Sequence, residues 1–427
     1  MNKIRINLAG FALVFFSSTF VLSQETGKEV FEYEAGGLEQ YMGEGANVGG
    51  FLFPSLYFIG TGGVFEPGAN PGDFASSEHD PLNEFGIQAI EAHIDLQFGE
   101  NVSGVVAGFG YQGEEEWEAE LEEAYLHFQV NDFITIGGGQ FLNQFGFQGG
   151  THLHGWFFVN QNLVNARALN EGELVTQGGE IIFNTPQNSG RLTIGAGGAR
   201  THAHAHEHGE EEEHGHHDEE GDEDEDEDHH EGEEHHFEAD EAGFNNSVFT
   251  ADYRFRLPFD DSITAALSVA TGENGFGEDT HAFGVGLQKV WNGHDHGRGG
   301  PDFCTGATMF RTEFIGRDVE GLTEDGDPVS FDDQGLSSSV HYGLTDLTTL
   351  SLRHDWVSGV EMAELDERHR ISPAISTHFG PGDRIRARLQ YDYTHSDTDA
   401  IGSEHAAWFQ IQIHWGGQGG SHAGHNH

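Results

Sequence analysis

The chain has 427 residues, one cysteine and a formal net charge of −55, with 36% of its residues hydrophobic. A balance that acidic excludes nucleic acid as a partner and favours cations. The single cysteine, Cys304, excludes an intrachain disulfide framework.

Lys3 and Arg5 precede an apolar stretch from Leu8 to Leu22, which ends at Ser23 before Gln24. A charged start, an apolar run and a small residue at the cleavage position read as a signal peptide over residues 1–23. The stretch is short beside the ~20 apolar residues of a membrane anchor. Residues 24–47 then form a short periplasmic segment.

From 48 to 415 the dominant pattern has period two. In Ile90–Phe98, Glu91, His93, Asp95 and Gln97 alternate with apolar neighbours, as do Glu123, Tyr125, His127 and Gln129 in the stretch that follows. Arg384, Arg386, Arg388, Gln390 and Asp392 alternate with Ile385, Ala387, Leu389, Tyr391 and Tyr393. The pattern predicts sixteen strands, at about 48–60, 83–99, 101–112, 120–130, 133–141, 174–184, 190–200, 244–258, 261–272, 279–291, 303–316, 334–343, 347–358, 366–379, 382–396 and 404–415.

A soluble sandwich also alternates, so the links carry the distinction. Links after even-numbered strands are mostly short, such as Asn131-Asp132, whereas 61–82, 142–173, 201–243 and 317–333 are long. Short turns on one rim, long loops on the other and an even strand count predict an all-β fold. The expected architecture is a transmembrane antiparallel β-barrel of about sixteen strands in outer-membrane lipid, with both termini periplasmic.

Residues 142–173 are partly apolar and rich in Phe, Asn and Gln. A segment of that composition packs, and the barrel lumen is the enclosed space available, so it is expected as a constriction loop. Within it, His152 and His154 either complete a metal site or pack as a polar pair hydrogen-bonded to the wall.

Residues 201–241 hold eleven histidines and twenty-one acidic residues, with no Lys or Arg. Such a segment cannot bury a core and is expected to be solvated. His202, His204, His206, His208, His214, His216, His217, His229, His230, His235 and His236 offer many combinations of two or three imidazoles. Neutral imidazole suits Zn2+ and its neighbours, and carboxylates add charge and oxygen ligands. The bland alternative is an acidic loop whose histidines are incidental. His294-x-His296 and the tail at 416–427, with His422, His425 and His427, are further candidates on the periplasmic side.

Of 18 Lys and Arg, several alternate on late strands: Arg254 and Arg256, Arg368 and Arg370, then Arg384, Arg386 and Arg388. Arginine on a lipid face costs about 2–4 kcal/mol at the midplane, so these side chains are expected to point inward. With Glu91, Asp95 and Glu123 they would line the pore and set a transverse field. Alternatively they only pair with neighbouring acids and hold the wall together. The sequence carries no nucleophile elbow, phosphate-binding glycine loop, HExxH or CxxC. The expectation is a non-enzyme that requires no cofactor, with Zn2+ or another divalent ion bound or carried.

The succession Leu121-Glu122-Glu123-Ala124-Tyr125-Leu126, then Gly139-Gln140-Phe141-Leu142-Asn143-Gln144-Phe145-Gly146, then His152-Leu153-His154-Gly155-Trp156-Phe157-Phe158-Val159 resembles the zinc-regulated outer-membrane porins. These are distant relatives of the phosphate-selective porins and are sometimes labelled TonB-dependent receptors. The resemblance is clearest over about residues 120–185 and implies an outer-membrane barrel connected with divalent-metal supply. Where the family pattern continues Phe-Val-Asp-x-Pro-Leu, this chain has Phe158-Val159-Asn160-Gln161-Asn162-Leu163. An energised receptor needs a plug domain ahead of its barrel, and residues 24–47 are too few for one.

The expected function is therefore a porin that passes divalent cations by diffusion, with the His/acid loop concentrating metal. The alternative is a metal-binding receptor or surface metal buffer without channel activity. A homotrimer is an assembly open to a porin of this size, although no stretch of the sequence marks its interface.

Overall fold

The computed structural model describes residues 31–33, 50–66, 77, 79–81, 84–99, 101–112, 117–185, 189–200, 239–292, 305–323, 326–363, 365–380, 383–397 and 402–416. A short strand β1 (Phe31–Tyr33) precedes sixteen long ones. These are β2 (Gly50–Phe65), β3 (Phe85–Phe98), β4 (Val102–Gln112), β5 (Trp117–Asn131), β6 (Ile134–Leu142), β7 (Val175–Asn184), β8 (Gly190–Ala199) and β9 (Phe244–Leu257). The second half comprises β10 (Asp260–Asn274), β11 (Asp279–Trp291), β12 (Thr308–Leu322), β13 (Pro328–Thr345), β14 (Thr348–Val357), β15 (Arg368–Phe379), β16 (Ile385–Ser396) and β17 (Ser403–Gly416).

Each of β2 to β17 pairs antiparallel with its sequence neighbour, and β17 returns to β2 from Ala406↔Phe65 to Gly416↔Ser55. The sheet is thus a closed sixteen-strand antiparallel barrel with no free edge. Closure satisfies the backbone groups that lipid cannot hydrogen-bond. Beyond Gly416, β1 pairs with the first residues of β2, Phe31 against Leu52.

Polarity is inside out relative to a soluble protein. Val285 and Leu287 on β11, Leu350 and Leu352 on β14, and Leu389 and Phe409 on β16 and β17 are exposed on the outer face. Arg353 and Asp355 on β14, and Arg388, Gln390 and Asp392 on β16, are buried on the inner face. An outer belt of large apolar side chains suits hydrocarbon rather than water.

One expected link is corrected. The stretch 317–333 is strand over most of its length, because β12 continues to Leu322 and β13 begins at Pro328. Across the link between them, the Thr323 amide donates to Asp327 O at 3.0 Å. Here the alternation reverses its polarity: Asp318 and Glu320 are exposed, while Val319 and Phe331 pack with Ala242, Val360 and Ala363. The outer face of this stretch meets water, so charge outside and apolar inside is the favoured order.

The signal segment, residues 24–30 and 34–49, the histidines from His202 to His236, His294, His296, Cys304 and the tail from 417 lie outside the described residues.

Candidate functional site

Residues 143–174 join β6 to β7 and are bonded to inward side chains all round the barrel. The segment first meets β9, β10 and β12. Ser268 Oγ accepts from the Gly146 amide at 2.8 Å, Arg254 donates to Gly146 O, and Glu313 accepts from the amides of Phe147 and Gln148. Gly146 takes φ +63°, and a Cβ there would strike the Glu313 carboxylate, so glycine is required at this turn. The Arg311 guanidinium lies 5.4 Å from the Phe147 ring and 5.6 Å from that of Phe157.

The segment then reaches the opposite wall at β3 and β5. His152 Nδ1 lies 3.2 Å from Glu122 Oε2, and its Nε2 2.9 Å from Glu123 Oε2. Two adjacent glutamates point inward because β5 carries a β-bulge. Ala107 pairs with Glu123 and Gly108 with Leu121, which leaves Glu122 as the extra residue. Burial opposes charge on His152, but the two carboxylates outweigh it and raise the imidazole pKa well above its ordinary value.

Next to this clamp, His154 Nδ1 lies 2.8 Å from Glu91 Oε2, and the His154 amide also donates to Glu91. His93, two residues along β3 on the same face as Glu91, sets its ring edge-on to His152 at 4.6 Å and to His154 at 4.9 Å. Tyr57 is stacked between His154 and His414, at 3.9 and 4.5 Å. Glu91, His93 and His154 each present one donor atom, all within 4.8 Å of one another. His79, Glu122 and Glu173 do the same nearer the long-loop rim, with His79 Nε2 3.1 Å from Glu173 Oε2.

The third stretch binds the arginine-bearing wall. Arg388 donates to the carbonyls of Phe158 and Trp156, Arg353 to Asn160 O at 2.9 Å, and Arg370 to Gln161 O. Gln390 Oε1 accepts from the Val159 amide at 2.7 Å. Buried backbone groups need such partners, and these side chains provide them. A helix α1 (Leu163–Ala168), capped by the Asn162 side chain on the Asn165 amide, then packs Val164 near β12, β13 and β14 in the largest apolar cluster.

The wall residues expected from sequence divide accordingly. Glu91 and Glu123 are buried in the histidine cluster, and Asp95 is half-buried on the same face of β3. Arg254 and Arg388 bind the 143–174 segment, and Arg386 reaches Gln412 on the neighbouring strand. Arg256 and Arg384 stand exposed toward the short-turn rim. Sequence reasoning did not single out His79, His93, Glu122 or Glu173 as ligands, nor Arg311, Arg353 and Glu313 as partners of the loop. Glu91-x-His93 on one strand face was the signal available for His93. Glu122 is hidden by the bulge, since strict alternation sends it outward.

No family model matches the chain, and no curated protein does. Solved structures do. The outer-membrane channel DcaP of Acinetobacter baumannii is 10% identical, with 87% of this chain and 99% of that one covered and a TM-score of 0.53. OmpF of Salmonella typhi, complexed with daunomycin, is 10% identical over 86% of this chain and 98% of that one, with a TM-score of 0.52. The trimer form of OmpT from Vibrio cholerae is 9% identical over 86% and 99%, with a TM-score of 0.51. At these identities the likeness is one of fold, and the fold shared is that of outer-membrane porins.

Proposed function

We propose that the protein is a bacterial outer-membrane porin through which divalent metal cations, zinc foremost, diffuse. The observation that carries this reading is the group of four histidines and four glutamates, all buried except the half-buried His154, where the 143–174 segment meets β3 and β5. Carboxylates attract divalent ions out of water, and imidazole selects borderline metals over Mg2+ and Ca2+. Residues 201–241 would raise the local concentration of such ions outside the barrel, and the 143–174 segment would constrict the path beneath. The likeness to the trimer form of Vibrio cholerae OmpT favours a homotrimer in outer-membrane lipid.

Reconstitution in planar bilayers tests the reading. Steady single-channel conductance, cation-selective and altered by Zn2+, is expected. A second reading, a metal-binding surface protein without channel activity, is favoured by the bonds of the 143–174 segment to opposite walls, Glu123 on one side and Arg388 on the other. A folded barrel that binds zinc and never conducts would select it.

A further inference from the structure

The clusters inside the barrel are not equivalent. Glu91, His93 and His154 supply one carboxylate and two imidazoles, whereas His79, Glu122 and Glu173 supply one imidazole and two carboxylates. Two nitrogens and one oxygen make the ligand set of an open-coordinated Zn2+ site, with a position left for water. The first set also joins two separate parts of the chain, since Glu91 and His93 sit on β3 and His154 on the 143–174 segment. We infer that Glu91, His93 and His154 form a discrete site for one divalent borderline metal ion, which fastens the 143–174 segment to the barrel wall.

Three observations beyond proximity support it. The stacking of Tyr57 against His154, 11° from parallel, fixes that imidazole's plane as outer partners of metal ligands do. Glu91 is 1% exposed and His93 4%, so both ligands are already desolvated and held by the strand, and little ordering remains to be done on binding. Charge also favours a cation. Glu91, Glu122, Glu123 and Glu173 are all buried in this corner of the barrel. Buried carboxylates require compensating charge, which a divalent cation supplies.

The consequence is a metal-dependent grip on the loop. With the ion in place, His154 is bonded through it to β3. Without it, the loop is held there by hydrogen bonds, such as those of His152 and His154 and that of Gln88 to Val159 O, and by the packing of Leu153 and Trp156. The inference deepens the metal-cation reading above and takes its biological sense from it, although binding itself does not require conduction.

The test is anomalous diffraction at the zinc edge from crystals of the full chain grown with ZnCl2, beside equilibrium dialysis of the same protein. A peak within about 2.0–2.2 Å of a nitrogen of His93, a nitrogen of His154 and an oxygen of Glu91 is expected. His93→Gln should abolish that peak and lower the bound zinc by one ion per chain. His154→Gln, on the loop rather than in the sheet, should do the same and serves if His93→Gln does not fold. No peak at these residues, a peak confined to His79, Glu122 and Glu173, or an unchanged peak in a folded variant would overturn the site. A barrel that shows the peak but carries no current keeps the site and loses the porin reading. One that conducts without the peak does the reverse.

Discussion

Arg388 on β16 donates to the carbonyl of Phe158 at 2.6 Å across 230 positions of sequence, and its second arm reaches the carbonyl of Trp156. Arg388 is 2% exposed, and Trp156 and Phe158 are both buried. A planar fork with several fixed donors suits two carbonyls on one strand of loop.

Arg388→Ala should therefore loosen the 143–174 segment. Leaving a buried acceptor without its donor costs about 1–3 kcal/mol. The expected result is faster proteolysis near Trp156–Gln161 and a larger single-channel conductance, while heat-modifiable gel mobility still reports a folded barrel. An unchanged conductance would mean that this contact does not hold a constriction.

Two glycines of the wall strand β11 leave room for the same segment. A Cβ on Gly284 would come within 2.8 Å of the Phe145 ring, and one on Gly286 within 2.8 Å of Phe147. Gly286→Val should displace Phe147 and lower stability by roughly 1–3 kcal/mol, the usual cost of overpacking. Urea unfolding in detergent measures it, and a neutral result would show the ring free to move aside.

The bulge at Glu122 accounts for two adjacent inward carboxylates. Glu122→Gln with Glu123→Gln removes both acidic partners of His152 and should shift the reversal potential toward lower cation preference. If selectivity is unaffected, the ions do not pass this wall.

Asp366 supplies a dependence on pH outside the histidine cluster. Burial pushes its carboxyl up, but hydrogen bonds from Arg368 and Ser396 and the charges of Arg368 and Arg167 hold it below its ordinary value. A depressed carboxyl stabilises the fold above its unfolded pKa, and that contribution is lost as pH falls through the lower folded value. Asp366→Asn should thus be less stable than the parent at neutral pH, with the difference vanishing in strong acid. A difference independent of pH would contradict the pairing with Arg167, which also donates to Ser358 O and Asp366 O.

Deletion of 201–241 should leave the barrel folded and conducting while zinc accumulation falls at low external metal. Accumulation equal to the parent's would assign those histidines another role.

The barrel was legible in the sequence wherever one face meets hydrocarbon, because alternation such as Glu91–Phe98 or Arg384–Tyr393 is strong there. It was not legible at 317–333, where Asp318 and Glu320 face outward into water and the polarity of the alternation reverses. Within the site, His152 and His154 were readable as a pair, but their partners were not. Glu122 is inward only through a one-residue slip of register, and His79 reaches the cluster from the link before β3. Arg353 stands alone in β14, and Arg311 is six positions from the other arginine of β12, Arg317, so neither has a ladder to mark it.

The central claim is that divalent cations pass this barrel along its histidine and carboxylate wall. Reversal potential across a planar bilayer holding the full-length protein in a ZnCl2 gradient tests it most directly. The account predicts steady conductance with a potential near that of a cation-selective pore. An anion-selective potential, or folded protein that carries no current, would contradict it.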